Sequence, residues 1–351
     1  MRITYVTEST DLWGGIYVIF QHVELLAKIG HDAFLTTVGA NPDWYPLKVP
    51  VYHVPSLDSD SLPSADIIVA TYWSTVRPVV ESKRGIPVHL CQGYEGDFKE
   101  LQSQKSDIDM VYSYNIPKLI VSPHLDGFLN RRFKAETHYI GQMIDKDLFY
   151  PPLGKRDDAI NRPFTILVVG PFESDFKNIA AALMGIKFAK KRLKTPVKLI
   201  RVSQLPLSNE EREILQPDVY HFHVPHNAMG EIYREADLFV SMSKEAEGFG
   251  LPAVEAMACG VPTILSRVSS YMGFDETTDY SFFVEWSDPE SLAHAIVEIC
   301  ENRVLRENLA HRGKIIAAKF SEKSLIRRLT DSFAIILDRD SLGSIDENRK
   351  K

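Results

Sequence analysis

Short apolar runs alternate with amphipathic stretches along nearly the whole chain, and this beat constrains the fold more than any other feature. Residues 1–6 (Met-Arg-Ile-Thr-Tyr-Val) read as a strand, a polar loop follows, and Gly14 and Gly15 lead into a helix over residues 16–29. Within it Ile16, Ile19, Phe20, Val23, Leu26 and Ala27 recur near the helical period. Gly30 stops the helix and residues 32–37 make the next strand. The pattern continues with strands at 67–72, 88–91 and 110–114 and a helix around 117–129. Strands separated by helices pair in parallel, because a crossover must carry the chain back to the starting edge of the sheet. An α/β fold is expected.

The beat breaks once. Tyr150-Pro151-Pro152-Leu153-Gly154-Lys155-Arg156-Asp157-Asp158 combines proline, glycine and clustered charge and cannot make a core. It reads as a linker, 151–163, between a first domain at 1–150 and a second at 164–325. The second opens with a strand at 164–170 that ends in Gly170. Helices at 180–191, 209–215 and 227–236 then alternate with strands at 197–202, 219–223 and 238–241. Asp288-Pro289-Glu290 is a helix start, with aspartate as cap and proline in the first turn. A last helix is expected over 321–337. The stretch 326–340 is a candidate C-terminal helix to cross back to the first domain, leaving 341–351 as a polar tail. A chain of 351 residues is about twice the usual ~100–200 residue domain, which agrees with two α/β halves.

Composition excludes several classes. With 44% hydrophobic and 25% charged residues the chain is neither disordered nor fibrous. A formal charge of -7 argues against a sequence-independent nucleic-acid binder, which needs a basic face to neutralise phosphates. Cys91, Cys259 and Cys300 are far apart and show no metal-ligand spacing, so a reducing compartment is expected. No run reaches the ~18 apolar residues that span a bilayer, and the chain opens on a strand rather than a signal region. A soluble, cytoplasmic protein is the expectation.

The most informative stretch is Glu247-Gly248-Phe249-Gly250-Leu251-Pro252-Ala253-Val254-Glu255-Ala256-Met257-Ala258-Cys259-Gly260-Val261-Pro262. A strand feeds a glycine-bearing loop, Pro252 sits where a first helical turn tolerates it, and Gly260 ends the helix. Free amides and the positive dipole end at such a helix start suit a diphosphate. Gly248 and Gly250 let backbone approach a ligand closely. Glu247 precedes the helix and Glu255 lies about one turn inside it; carboxylates accept hydrogen bonds from sugar hydroxyls. Taken as a bare pair, the two glutamates read equally as exposed residues on an ordinary helix.

This block resembles the donor-site signature of family 4 glycosyltransferases, retaining enzymes of the GT-B fold. Weaker similarities are Gly14-Gly15 and its helix, Gly30-His31-Asp32, Ile144-Asp145-Lys146-Asp147-Leu148-Phe149, Val169-Gly170, Lys177-Asn178 and Tyr233-Arg234-Glu235-Ala236-Asp237. The resemblance implies two Rossmann-like parallel-sheet domains facing across a cleft, the first binding acceptor and the second a nucleotide-sugar. It implies that Glu255 binds ribose, that Glu247 meets a hydroxyl of the transferred sugar, and that the amides of Gly248, Phe249, Gly250 and Leu251 contact phosphate or sugar. Lys177, some eight residues beyond the strand that ends near Gly170, would neutralise charge on the departing diphosphate; its plainer reading is a solvated lysine. No metal or other cofactor is required, and the donor is a nucleotide-diphosphate sugar.

The chain departs from the family at two places. Where relatives carry an arginine before the lysine, this sequence has Pro171-Phe172-Glu173-Ser174, and Arg201 on the next strand is the candidate replacement. Where many relatives carry a histidine after the strand at 88–91, it has Gln92-Gly93-Tyr94-Glu95. Gln92, Tyr94 and Glu95 are candidate acceptor-side residues with a plain turn as the alternative. Their pattern is similar to rhamnan-synthesis rhamnosyltransferases. His124 is a candidate cleft residue or a surface histidine, and His89 reads as a core histidine. Asp107 and Asp109 read as a solvated turn, and His221, His223 and His226 as a strand with alternating faces rather than a zinc site.

The resulting expectation is a retaining, metal-independent hexosyltransferase working in polysaccharide or glycoconjugate synthesis. Its acceptor would be a saccharide or lipid-linked hydroxyl, with peripheral inner-membrane association open and no nucleic acid. An inactive nucleotide-sugar-binding or scaffold protein, and a nucleotide-sugar epimerase of similar fold, remain as alternatives. A dinucleotide-dependent dehydrogenase is disfavoured, since residues 7–15 hold no G-x-G-x-x-G.

Overall fold

The computed structural model describes residues 1–152 and 162–349. Its contacts divide the chain into two compact units, 1–143 with the C-terminal helix, and 144–321. Most of the proline-rich linker, residues 153–161, lies outside the described residues.

The first unit is a seven-stranded sheet built from β1 (Arg2–Thr7), β2 (Asp32–Thr37), β3 (Val51–His53), β4 (Ile67–Ala70), β5 (Ile86–Cys91), β6 (Lys118–Ile120) and β7 (Thr137–Tyr139). The spatial order is β3-β2-β1-β4-β5-β6-β7, all parallel. Ile3, Tyr5, Leu35, Ile67, Val69, Val88 and Leu90 are completely buried. Near-continuous apolar strands of this kind belong to a sheet covered on both faces. The final helix, Glu322–Arg349, groups with this unit. Lys28 meets Glu322 at 2.6 Å, Arg328 lies over the Tyr139 ring, and Arg339 pairs with Glu136.

The second unit holds β8 (Phe164–Val169), β9 (Val197–Ser203), β10 (Val219–Phe222), β11 (Leu238–Ser241), β12 (Thr263–Ser266) and β13 (Phe282–Val284). The order is β10-β9-β8-β11-β12-β13, again all parallel. Ile166, Leu199, Leu238, Val240 and Ile264 pack against Leu183 and Ile186 of one helix and Leu292, Ile296 and Ile299 of another.

Three local expectations are corrected. Residues 110–114 are not a strand: Lys105–Tyr112 is a helix, with Ile108, Val111 and Tyr112 on its buried face. That spacing is helical, and the short apolar run alone does not separate the two cases. Asp107 and Asp109 therefore sit on a helix rather than in a turn, and Asp109 pairs with Arg132 at 2.9 Å. The helix expected around 117–129 is β6 followed by the helix Pro123–Phe133, whose first residue is the proline that starts it. The last helix runs past Leu337 to Arg349. No proline interrupts that stretch, and extending a formed helix costs little.

Candidate functional site

Each sheet turns back on itself once. In the second unit the chain steps outward from β8 to β9 to β10, then returns so that β11 lies on the other side of β8. The loops leaving β8 and β11 at their carboxyl ends diverge around that point, and a doubly wound sheet binds its ligand there. These are residues 170–178 and 242–250.

The two loops are tied together by ion pairs and hydrogen bonds. Gly170 has φ +127°, and a Cβ there would lie 3.3 Å from Lys177 Cγ, so glycine lets the lysine stem cross the strand end. Asn178 takes the left-handed conformation at φ 50°, and its Nδ2 donates to the carbonyls of Met242 at 2.9 Å and Trp286 at 2.8 Å. This fixes the turn that carries Lys177. Lys177 Nζ donates to Glu247 Oε2 at 2.7 Å, with the two side chains 18% and 7% exposed. The same carboxylate oxygen accepts from Ser243 Oγ at 2.8 Å.

The glycine-bearing segment then enters the helix Leu251–Ala258, with Pro252 in its first turn. Gly250 has φ +91°, and a Cβ would lie 2.1 Å from the Tyr271 ring, so no other residue fits. Phe249 turns its ring inward onto Phe274 and Phe320, leaving its backbone amide for any ligand contact. Glu255 is 3% exposed. Tyr233 Oη donates to its Oε2 at 2.7 Å, and His226 Nε2 lies 3.3 Å from Oε1. Burial raises the Glu255 carboxyl to about 7 and lowers the His226 imidazole to about 3. Both groups are thereby driven toward their neutral forms. Neither Tyr233 nor His226 was legible as a partner of Glu255, since 22 and 29 residues separate them and no motif spans the gap.

Arg201 does not serve as the missing phosphate-clamp arginine. It is completely buried. Its Nε donates to Glu211 at 2.6 Å, and its terminal nitrogens donate to the carbonyls of Val168 and Gly170, each at 2.8 Å. The guanidinium therefore braces β8 and β9 from inside. The alternating histidines also separate: β10 ends at Phe222, His223 takes φ 53°, and His226 opens the next helix.

In the first unit the chain turns back between β1 and β4. Gly14 and Gly15 open the helix Gly14–Lys28 there, and Gln92 Nε2 donates to the Gly15 carbonyl at 3.1 Å. Tyr94 and Glu95 do not join them. Tyr94 packs among Tyr112, Phe128 and Phe133, with its hydroxyl on Asp109. Glu95 is 6% exposed and accepts from Tyr112 Oη, and burial raises its carboxyl to about 7. Both are structural members of the first core. His124 is half-buried in the first turn of its helix, with Nδ1 2.8 Å from Ser122 Oγ. His89 is fully buried beside Tyr112. Among the described residues no cluster of three or more His, Cys, Asp or Glu is placed to hold a metal ion, and no helix is long and apolar enough to cross a membrane.

Residues 156–315 match the family model described as Glycosyl transferases group 1. An uncharacterised glycosyltransferase of Methanocaldococcus jannaschii is 37% identical over 84 residues, which is 24% of this chain and 24% of that protein. The matched stretch thus spans only about a quarter of that relative. Sucrose-phosphate synthase of Thermosynechococcus elongatus superposes with a TM-score of 0.77 at 19% identity, over 96% of this chain and 99% of that one. Anabaena HepE, solved with UDP-glucose, superposes at 0.75 with 14% identity, over 95% and 99% of the two chains. At such identities these likenesses define the fold, which is GT-B with two Rossmann-like units. Residues 156–315 are accordingly similar to the glycosyl transferases group 1 family, and the fold that carries them is GT-B.

Proposed function

We propose that the protein is a retaining glycosyltransferase that moves a sugar from a nucleotide-diphosphate donor to an acceptor hydroxyl. One observation carries this reading: the Lys177–Glu247 pair, 2.7 Å apart, stands at the switch point of the second sheet within the family-matched segment. Lys177 stabilises charge on the leaving diphosphate, the amides of Gly248 to Leu251 and their helix dipole hold phosphate or sugar oxygens, and Glu247 accepts from the sugar. Glu255, steadied by Tyr233, receives the ribose. The UDP-glucose seated in a protein of the same fold supports a donor of this class.

No carboxylate at this edge stands out as a covalent nucleophile, so we favour attack on the face the leaving group vacates. The departing diphosphate oxygen takes the proton of the incoming hydroxyl. Positive charge comes from the protein, and the reaction as proposed needs no metal. Gly14, Gly15 and Gln92 at the switch point of the first sheet supply acceptor contacts, for a saccharide or lipid-linked hydroxyl in polysaccharide or glycoconjugate synthesis. Of the Gln92–Glu95 stretch only Gln92 is assigned a contact, since the side chains of Tyr94 and Glu95 are committed to the core. Incubation with UDP-, GDP-, dTDP- and ADP-sugars and simple acceptors tests the reading. NMR of the product should show transfer with the donor's anomeric configuration kept. Inversion would refute retention, and donor turnover without any acceptor would favour an epimerase.

A further inference from the structure

We propose that Lys244 is a second cationic contact for the donor's diphosphate, acting beside Lys177; the proposal rests on the donor reading above. The two loops at the β8/β11 switch point are joined by a reciprocal pair of ion pairs. Lys177, from the loop after β8, meets Glu247 of the loop after β11 at 2.7 Å. Lys244, from the loop after β11, meets Asp175 of the loop after β8, also at 2.7 Å. Asp175 and Lys177 are the two ends of one 3-10 turn. The Lys244 amide donates to the Phe176 carbonyl in the middle of that turn at 2.8 Å. Both lysines are thus anchored on a single turn.

Charge balance calls for the second lysine. A departing nucleoside diphosphate carries more negative charge than one ammonium offsets, and Lys177 is already balanced by Glu247. The two loops hold four carboxylates (Glu173, Asp175, Glu245 and Glu247) against Lys177 and Lys244. Arg201 is consumed in the core. Arg267 follows β12, one strand away, where it faces Glu285 at 3.7 Å and lies over Phe283. Lys244 is the remaining cation of the two loops.

It is also the easier one to recruit. The Lys244 and Asp175 side chains are 29% and 42% exposed, against 18% and 7% for Lys177 and Glu247. A partly exposed pair contributes little, so exchanging Asp175 for a phosphate oxygen costs little and water takes over the released carboxylate. A charge-assisted hydrogen bond to phosphate is stronger than that pair.

The test is calorimetric titration of the full chain with UDP, GDP, dTDP and ADP, each against its monophosphate. Wild type should bind one diphosphate. Lys244→Ala should weaken that diphosphate about ten-fold or more while the monophosphate shifts by less than about three-fold, and Lys244→Arg should restore most of the loss. A melting temperature unchanged in Lys244→Ala keeps folding out of the comparison; if it drops, Lys244→Gln takes its place. Diphosphate affinity that stays at the wild-type value, or equal losses for both nucleotides, would overturn the assignment of Lys244. Wild type that binds none of the diphosphates would instead overturn the donor reading beneath it.

Discussion

Lys177 Nζ lies 2.7 Å from Glu247 Oε2, and the pair joins the two loops that leave β8 and β11. Its members come from residues 70 apart, brought together because the chain returns to pair β11 beside β8. Both side chains are largely shielded, so removing one partner leaves the other poorly compensated.

Lys177→Met should therefore lower stability, by ~1–3 kcal/mol in urea unfolding, and should lower turnover at least ~100-fold with a smaller change in donor KM. Adding Glu247→Gln should recover stability without recovering turnover. Recovery of activity in the double variant would show that the pair is only a structural tie.

Gly250 stands at φ +91° with the Tyr271 ring where a side chain would begin. Gly250→Ala should cost ~2 kcal/mol or more, combining backbone strain with a clash, and should reduce donor affinity as the loop shifts. A melting temperature within a degree of wild type would contradict the loop geometry.

Glu255 makes stability depend on pH in a defined direction. Its folded carboxyl is raised by burial from 4.5 to about 7, so the fold favours the protonated form. That contribution is complete below 4.5, declines as pH rises through 7, and is absent above it. Glu255→Gln removes the buried charge and should raise the melting temperature relative to wild type at pH 8, with little difference at pH 4.5. It should also weaken donor binding. A variant no more stable than wild type at pH 8 would show that the carboxylate is well solvated.

Three buried imidazoles act in the opposite direction. Burial lowers His22, His89 and His226 from 6.5 to about 3, so all three are neutral in the fold. Their contribution is complete above 6.5 and is lost as pH falls toward 3, at up to ~1.4 kcal/mol per pH unit for each. Glu95, raised to about 7, partly offsets this between 4.5 and 7. Neither ring nitrogen of His89 has a hydrogen-bond partner among the described residues. His89→Leu should thus keep stability at pH 7 and flatten its acid decline by one proton, as read from urea unfolding at pH 7, 5 and 4. An unchanged slope would contradict burial of the neutral ring.

What the sequence made legible followed from short-range rules. Apolar runs bounded by polar or glycine-bearing loops located β1, β2, β8 and β11, and Pro252 and Gly260 marked the ends of the helix Leu251–Ala258 within two residues. The misread region, 105–133, has apolar runs too short to separate helix from strand, so tertiary packing decided it. Side-chain commitments were harder still. Arg201, Tyr94 and Glu95 stand at positions suited to ligands, yet each is taken up by a partner from another element: Glu211, Asp109 and Tyr112. Lys244 carried no motif, and its place beside Lys177 emerges only once β8 and β11 are neighbours.

The central claim is that the donor's diphosphate lies at the carboxyl ends of β8 and β11. A crystal structure of the chain soaked with the nucleoside diphosphate that stabilises it most tests this directly. The account predicts phosphate oxygens within hydrogen-bond distance of Lys177 Nζ and of the amides between Gly248 and Leu251. Well-ordered diphosphate at any other place, with the Lys177–Glu247 pair untouched, would contradict it.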